Sequence, residues 1–376
     1  MGNIVCYQRL PQSTPNCLPL PILILPDELI CEILLRLPVK SLLRFKCVCK
    51  SWKALISEPQ FAKSHLRIST ADPSMTNQHL LFNVPNEILS YPLNSLFENH
   101  ESVNFSSMMK VKQCYHNITC GSCNGLLCLY DTSQHCVRLF NPSIKWISKK
   151  SPEAFSHGWV IIYYGFGYDQ VNDKYKVLVV VENKSDSRRE RLTKIYTFGG
   201  EDSWKTIQKF PCTSTVPLGE FVSGTLNWMV DNGGVSSNQT VILSFDLEKE
   251  TYREVLLPQN DTDNVSMHRL YVLNNCLCVF YETNKTHWVA WLMKEYGVVD
   301  SWTKLMIIPH DKFPPNYPSF VDPLFVSKNG VVLLLDEWSN RLVLYNMYSS
   351  GRLDYLSISS MLGHHLHIYH ESLISP

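Results

Sequence analysis

Residues 25–56 read LPDELICEILLRLPVKSLLRFKCVCKSWKALI, and the spacing of residues in this stretch decides how the chain begins to fold. Leu25 and Pro26 open it, and a proline suits a helix start because its missing N–H would be unpaired there anyway. Asp27 and Glu28 come next in the first turn, where carboxylates favour the positive end of the helix dipole. Leu29, Ile33 and Leu37 recur every four residues with Ile30 and Leu34 beside them, which gives one broad apolar stripe. Pro38 ends that helix. Leu42, Phe45, Val48, Cys49, Trp52 and Ile56 continue at helical spacing, which predicts two further short helices.

Three such helices expose more apolar surface than about 45 residues can bury alone. Charge sharpens the point. Between Glu32 and Glu58 there is no acidic residue, while Arg36, Lys40, Arg44, Lys46, Lys50 and Lys53 are all basic. An apolar ridge among basic residues fits an acidic partner with an apolar groove. The competing reading is a helical subdomain packed on the rest of its own chain.

The same string resembles an F-box, the motif by which substrate receptors dock on the Skp1 adaptor of cullin-RING ubiquitin ligases. The resemblance rests on Leu25-Pro26, the run Ile33-Leu34-x-x-Leu37-Pro38, Leu42, Arg44, Val48, Lys50 and Trp52. It implies that Leu25, Pro26, Ile33, Leu34, Leu37, Pro38, Leu42, Val48 and Trp52 supply the Skp1 contact or its support.

Composition narrows the remaining possibilities. A chain of 376 residues holds one small and one large domain. Lys+Arg and Asp+Glu are equal at 34 each, so no overall field draws the protein to nucleic acid. The 13 cysteines are odd in number and irregularly spaced, and many lie in apolar runs such as Leu126-Leu127-Cys128-Leu129, where they act as small hydrophobes. No secretory signal opens the chain, and Pro19 and Pro21 interrupt the short apolar segment 18–25, so no stable membrane insertion is expected. These features favour a reducing, intracellular setting, cytoplasmic or nuclear. Matches such as Asn117-Ile118-Thr119 are then chance. Gly2 satisfies one requirement of N-myristoylation, but Cys6 replaces the usual Ser or Thr and no polybasic patch supports a lipid anchor.

From about Gln78 the helical period gives way to short β-rich runs that repeat. Units end at Pro152, Pro211, Pro258, Pro309 and Ile358, and a degenerate opening unit covers 80–111. A repeat of this length built from four short strands predicts a β-propeller blade; a β-sandwich, the alternative, predicts no such recurrence. About six blades are expected, with HLHIYHESLIS, from His365 on, closing the ring against the first unit. Trp146, Trp204, Tyr252, Trp302 and Tyr355 occupy equivalent outer positions and are expected to pack between blades. GSCNGLLCL, LFNPSIKW, GFGYDQVNDKYKV, VSGTLNWMV, ILSFDLEKETYREV and NGVVLLL also resemble the F-box-associated, kelch-like domain of plant F-box proteins, a broad group that includes the S-locus F-box proteins of pollen.

The expected architecture is α+β and multidomain, with a small N-terminal three-helix F-box followed by an all-β propeller-like domain. The boundaries are a lead-in over 1–23, the F-box over 24–66, a linker over 67–77 and the propeller over 78–376. Chemistry is sparse. Cys120-Gly121-Ser122-Cys123 is half a zinc site without a second half, and His364, His365, His367 and His370 lack completing ligands, so no metal and no cofactor are expected. No Ser elbow, P-loop or paired helical carboxylate appears. The resemblance implies a non-catalytic substrate receptor whose partners are Skp1, a cullin and RING subunit reached through Skp1, and an unknown target. The alternatives are an F-box adaptor working outside a ligase and a propeller enzyme. Target contact is expected at loops over 183–194, 231–239, 259–268 and 310–319, with Arg188, Arg189, Tyr317 and Phe320 as candidate residues.

Overall fold

Proline opens the first helix as the sequence predicts, and Pro38, expected to end it, instead heads the second. In the computed structural model, α1 (Asp27–Leu35) starts after Pro26 and α2 (Val39–Phe45) after Pro38. At the head of α3 (Lys50–Ser57), Cys49 is the N-cap, and its thiol accepts the Trp52 N–H at 3.5 Å. Cys47 and Cys49 therefore lie on the turn before a helix, not inside one. The structure describes residues 25–71, 77–84, 87–98, 109–112, 117–184, 189–214, 216–234, 237–259, 265–283, 286–313, 321–336, 341–348, 353–356 and 366–376.

A fourth helix comes after the three expected ones. In α4 (Pro59–Ala71), Phe61, Ala62, His65, Leu66 and Ser69 are buried, a helical face spaced by three and four residues. Pro59 opens it in the favoured first position. Residues 67–71, expected from sequence as linker, are thus helical. Two of the five buried positions are the polar His65 and Ser69, which breaks the apolar period that would have marked the helix.

The β region forms six four-stranded blades among the described residues. In chain order these are β1 (Gln78–Val84), β2 (Glu87–Pro92) and β3 (Met109–Lys112); then β4 (Asn117–Cys123), β5 (Leu126–Asp131), β6 (Cys136–Asn141) and β7 (Trp146–Ile147). The next blade holds β8 (Trp159–Asp169), β9 (Lys174–Asn183), β10 (Arg191–Thr197) and β11 (Lys205–Ile207). After it come β12 (Thr213–Ser214), which pairs with β14, and the blade β13 (Leu218–Val222), β14 (Thr225–Gly234), β15 (Ser237–Asp246) and β16 (Thr251–Val255). The last two full units are β17 (Val265–Leu273), β18 (Cys276–Thr283), β19 (His287–Met293) and β20 (Trp302–Pro309), then β21 (Val321–Val326), β22 (Val331–Asp336), β23 (Arg341–Asn346) and β24 (Leu353–Leu356). β25 (Leu366–His370) then joins β1, with register from Gln78↔His370 to Phe82↔Leu366. It supplies the innermost strand of the blade that β1 opened, so both ends of the propeller sequence share one sheet. The ring-closing role expected of the last histidine-rich stretch holds.

Aromatic residues fasten neighbouring blades. Trp204 Nε1 donates to the Pro152 carbonyl at 3.0 Å and Trp302 Nε1 to the Leu256 carbonyl at 3.1 Å, each reaching the connection that leaves the preceding blade. Tyr252 meets Phe210 edge-on across the same kind of junction, with centroids 5.8 Å apart. Trp146 is half-buried against the cluster that also takes Trp204. Tyr355, on the outermost strand of its blade, is less covered, at 37% exposure. Close approach also fixes the innermost strands: a Cβ at Gly219 on β13 would lie 2.4 Å from the Trp228 ring.

The helical region is not an appendage. Leu34, Val39, Leu42, Ile56, Phe61, Ala62 and Leu66 share one continuous apolar cluster with Cys120, Leu126, Phe166, Val177 and Ile374 of the propeller. Polar contacts frame the seam: Lys63 Nζ reaches Asp173 Oδ2 at 2.5 Å and His370 Nε2 lies 3.0 Å from Ser69 Oγ. His65 Nε2 lies 2.8 Å from the Leu37 carbonyl. A carbonyl only accepts, so Nε2 carries the proton and Nδ1 is a bare acceptor, buried and without a partner.

Both the closure and the seam can be tested. Truncation before β25 removes the inner strand of the first blade and uncovers the edge of β1, so the shortened chain should lose cooperative thermal unfolding and aggregate. Burial lowers the His65 pKa below its ordinary 6.5, although the Leu37 hydrogen bond and the Glu371 charge act the other way. The unfolded chain then binds a proton before the folded one does. This contribution is complete above the ordinary value and is lost as pH falls below it. His65→Gln, which keeps a donor for Leu37, should flatten the fall of melting temperature between pH 7 and pH 5.

Candidate functional sites on two faces

The apolar stripe of α1 splits into two halves. Ile30 and Leu34 turn inward, and Leu34 is only 1% exposed. Leu25, Leu29 and Ile33 point to solvent at 48%, 47% and 52% exposure, and Val48, just before α3, reaches 61%. Pro26 and Pro38 are exposed beside them, while Leu37 and Trp52 are half-buried. Leu42 is wholly buried beneath α2. The nine residues taken from the motif therefore divide by position. Leu25, Pro26, Ile33, Pro38 and Val48 present surface, Leu37 and Trp52 bridge surface and core, and Leu34 and Leu42 support from below. Leu29 belongs to the exposed half and was missed as a site residue, although its spacing of four from Leu25 and Ile33 marks it.

Positive charge gathers on α2, α3 and the turn between them, whereas α1 itself carries exposed Asp27, Glu28 and Glu32. Among the described residues no ion pair engages Arg36, Lys40, Arg44, Lys46, Lys50 or Lys53. Lys46 is held below the ordinary lysine value, first by partial burial and then by repulsion from Lys53. Phe45 packs edge-on to Trp52 at 5.5 Å, which sets the indole at the rim. Such a surface can bury apolar side chains and attract carboxylates.

A second surface lies opposite. Strands alternate in direction within each blade, and the innermost strands all run toward the side that α4 covers, where the turn carrying Asp173 and the end of β25 meet the helix. The β9–β10, β14–β15, β16–β17 and β20–β21 connections consequently emerge together on the far side. These are the four stretches expected to contact a target. Two are more ordered than loops: β14 and β15 extend to Gly234 and from Ser237, so 231–239 is mostly hairpin, and β10 begins at Arg191. Arg189 is exposed there with φ at 48°. Arg188, Tyr317 and Phe320 lie outside the described residues, as do Gly2, His364 and His365.

Chemistry in the propeller stays isolated. Cys120 and Cys123 are buried, and desolvation pushes the Cys123 thiol up, away from the thiolate a metal requires. No group of three or more His, Cys, Asp or Glu residues among the described ones could hold a metal. On β13, desolvation pushes half-buried Glu220 up to about 7, but a single carboxyl is neither a nucleophile–base pair nor a ligand set. Arg269 Nη1 donates to Asp322 Oδ1 at 2.7 Å and Tyr271 hydrogen-bonds the same oxygen, tying β17 to β21. No described helix is long and apolar enough to cross a membrane.

Comparison with known proteins agrees with this division. Residues 22–64 match the F-box domain, and residues 79–376 match the F-box associated beta propeller domain. The F-box/kelch-repeat protein At3g23880 of Arabidopsis thaliana is 33% identical over 365 residues, covering 94% of this chain and 96% of that protein. The F-box protein CPR1 of the same plant is 29% identical, with 86% and 82% covered. No catalytic family is indicated. An exposed apolar and basic helical face, fused through one core to a closed ring of blades, thus belongs to an F-box protein of the family with an F-box-associated β-propeller.

Proposed function

We propose that this protein is the substrate-recognition subunit of an SCF-type ubiquitin ligase. The observation that carries the reading is the opposition of its two surfaces: the exposed Leu25–Leu29–Ile33 and Val48 face at one end, and the gathered connections at the other. The first face docks on a Skp1-family adaptor, through which the cullin and RING subunit are reached. The second holds a target protein. No residue of this chain forms a bond to ubiquitin. The contribution to rate is proximity, because a target held on the ring meets the charged conjugating enzyme as a near-intramolecular neighbour.

Rigidity supports this role. The shared core and the Lys63–Asp173 and Ser69–His370 contacts fix the angle between dock and ring, so the target is presented in one direction. The surface pair Lys63–Asp173 adds little energy in water, and the apolar cluster carries the joint. A reducing intracellular compartment suits the free cysteines, several of them buried in the blades.

The test is co-purification of the full chain with a Skp1-family adaptor. Leu37→Ala/Pro38→Ala and Trp52→Ala should each weaken adaptor binding by about 2–4 kcal/mol, the range of interface hot spots. Exposed Lys53→Ala should cost much less. Equal losses from all three, or a folded wild-type chain that binds no adaptor, would overturn the docking assignment.

A further inference from the structure

Two apolar features of this chain meet at Leu25. One is the outer side of α1, where Leu25, Leu29 and Ile33 stand 48%, 47% and 52% exposed. The other is the stretch that leads into it. From Leu18 to Pro26 the sequence reads LPLPILILP, nine residues without one polar side chain. Residues 1–24 lie outside the described ones. An apolar run of this length is unfavourable in water and is drawn to apolar surface within its reach.

Backbone chemistry decides what form this run can take. Pro19, Pro21 and Pro26 each lack an N–H, and each disfavours helical backbone in the residue before it, so α1 does not continue upstream of Pro26. Pro26 itself is extended, with φ −55° and ψ 145°. At about 3.1 Å per residue an extended run spans roughly 22 Å over residues 18–24. The nine residues of α1 rise only about 13.5 Å, at roughly 1.5 Å each. Folded back at Leu25–Pro26, the run is therefore long enough to lie along the whole outer side of α1. Because every residue in it is apolar, any face it turns to the helix is apolar too.

Charge favours the same seat. Residues 1–24 contain Arg9 and no Asp or Glu. On α1, Asp27, Glu28 and Glu32 are exposed, and no described ion pair engages them. Exposed Lys40, Arg44, Lys50 and Lys53 of α2 and α3 repel a cationic segment instead. The lead thus matches α1 in both polarity and sign. Tethered at the foot of the helix, it meets that surface at the high effective concentration of an intramolecular partner.

We propose that residues 18–24 fold back over the outer side of α1 in the free protein and cover Leu29 and Ile33 until a partner displaces them. The lead is then an internal competitor of the adaptor. It shields apolar surface while the receptor is unassembled, and it lowers the apparent affinity of the adaptor in proportion to the time the face is closed. The identity of the displacing partner rests on the receptor reading; the cover itself does not.

The test compares the full chain with Leu20→Ser/Ile22→Ser/Ile24→Ser, by hydrogen exchange of the α1 amides at several protein concentrations and by affinity for a Skp1-family adaptor. The variant should exchange its α1 amides faster and keep the wild-type melting temperature, because the ring and its seam with α4 are untouched. If the face is closed about nine-tenths of the time, the variant should bind the adaptor about tenfold tighter. Unchanged exchange, or an adaptor affinity that stays the same or falls, would overturn the proposal; a fall would assign the run to the adaptor contact instead. Protection of α1 that grows with protein concentration would overturn it in favour of a second copy on this face. Faster exchange in the variant, with neither chain binding the adaptor, would defeat the ligase reading and leave the cover standing. Equal adaptor binding with equal exchange would do the reverse.

Discussion

Everything in the molecule depends on the ladder between β1 and β25. A ring of blades has no free inner edge only if its last strand finds its first sheet, and here five residue pairs from Gln78↔His370 to Phe82↔Leu366 make that join. The closure also fixes what lies outside the ring. Ser90 and Tyr369, 279 residues apart, share a hydrogen bond at 3.3 Å, and His370, next in the chain, reaches Ser69 on α4. Glu371 pairs with His79 at 3.2 Å, and its N–H donates to the Asn77 carbonyl. The strand that closes the propeller thus also seats the helical region.

This seat determines the division of labour. Helix α4 packs between α1, α3 and the propeller, which leaves the outer side of α1 and Val48, just before α3, with apolar side chains that no described residue covers. Helices that wrapped up their own core would have no such face. The exposure of Ile33 and Val48 is therefore not poor packing: the core beneath them, with Leu34 and Leu42 sealed, is complete.

Much of this was legible in the residues. Pro26 marked the start of α1 and Pro38 the break after it, the four-residue apolar spacing set α1, the recurrent runs pointed to the propeller, and the last histidine-rich stretch to its closing strand. The interblade roles of Trp204 and Trp302 came from their repeated place in the units. Less legible was anything that depends on which side of an element faces what. Periodicity shows that α1 is apolar along one broad stripe but not that half of it is left outside, because the partner that takes the inner half, α4, hides its contact behind His65 and Ser69. Likewise, the four candidate target stretches could be chosen from sequence, whereas their gathering on the side opposite α4 comes from strand direction. The hairpins within two of them went unread because Asp231–Gln239 has the Gly, Asn and Ser content of a loop.

Closure by the last strand has a consequence for how the protein is made. Synthesis delivers α1 to α3 first and the residues of β25 only after every other blade strand, so the longest-range pairing in the fold comes last. On the proposed reading, a product cut short in the propeller would lack the strand that both closes the ring and seats α4, so the damage would reach the helical face as well as the target face. A nonsense allele late in the propeller would then remove both surfaces at once, however many blades it still encoded.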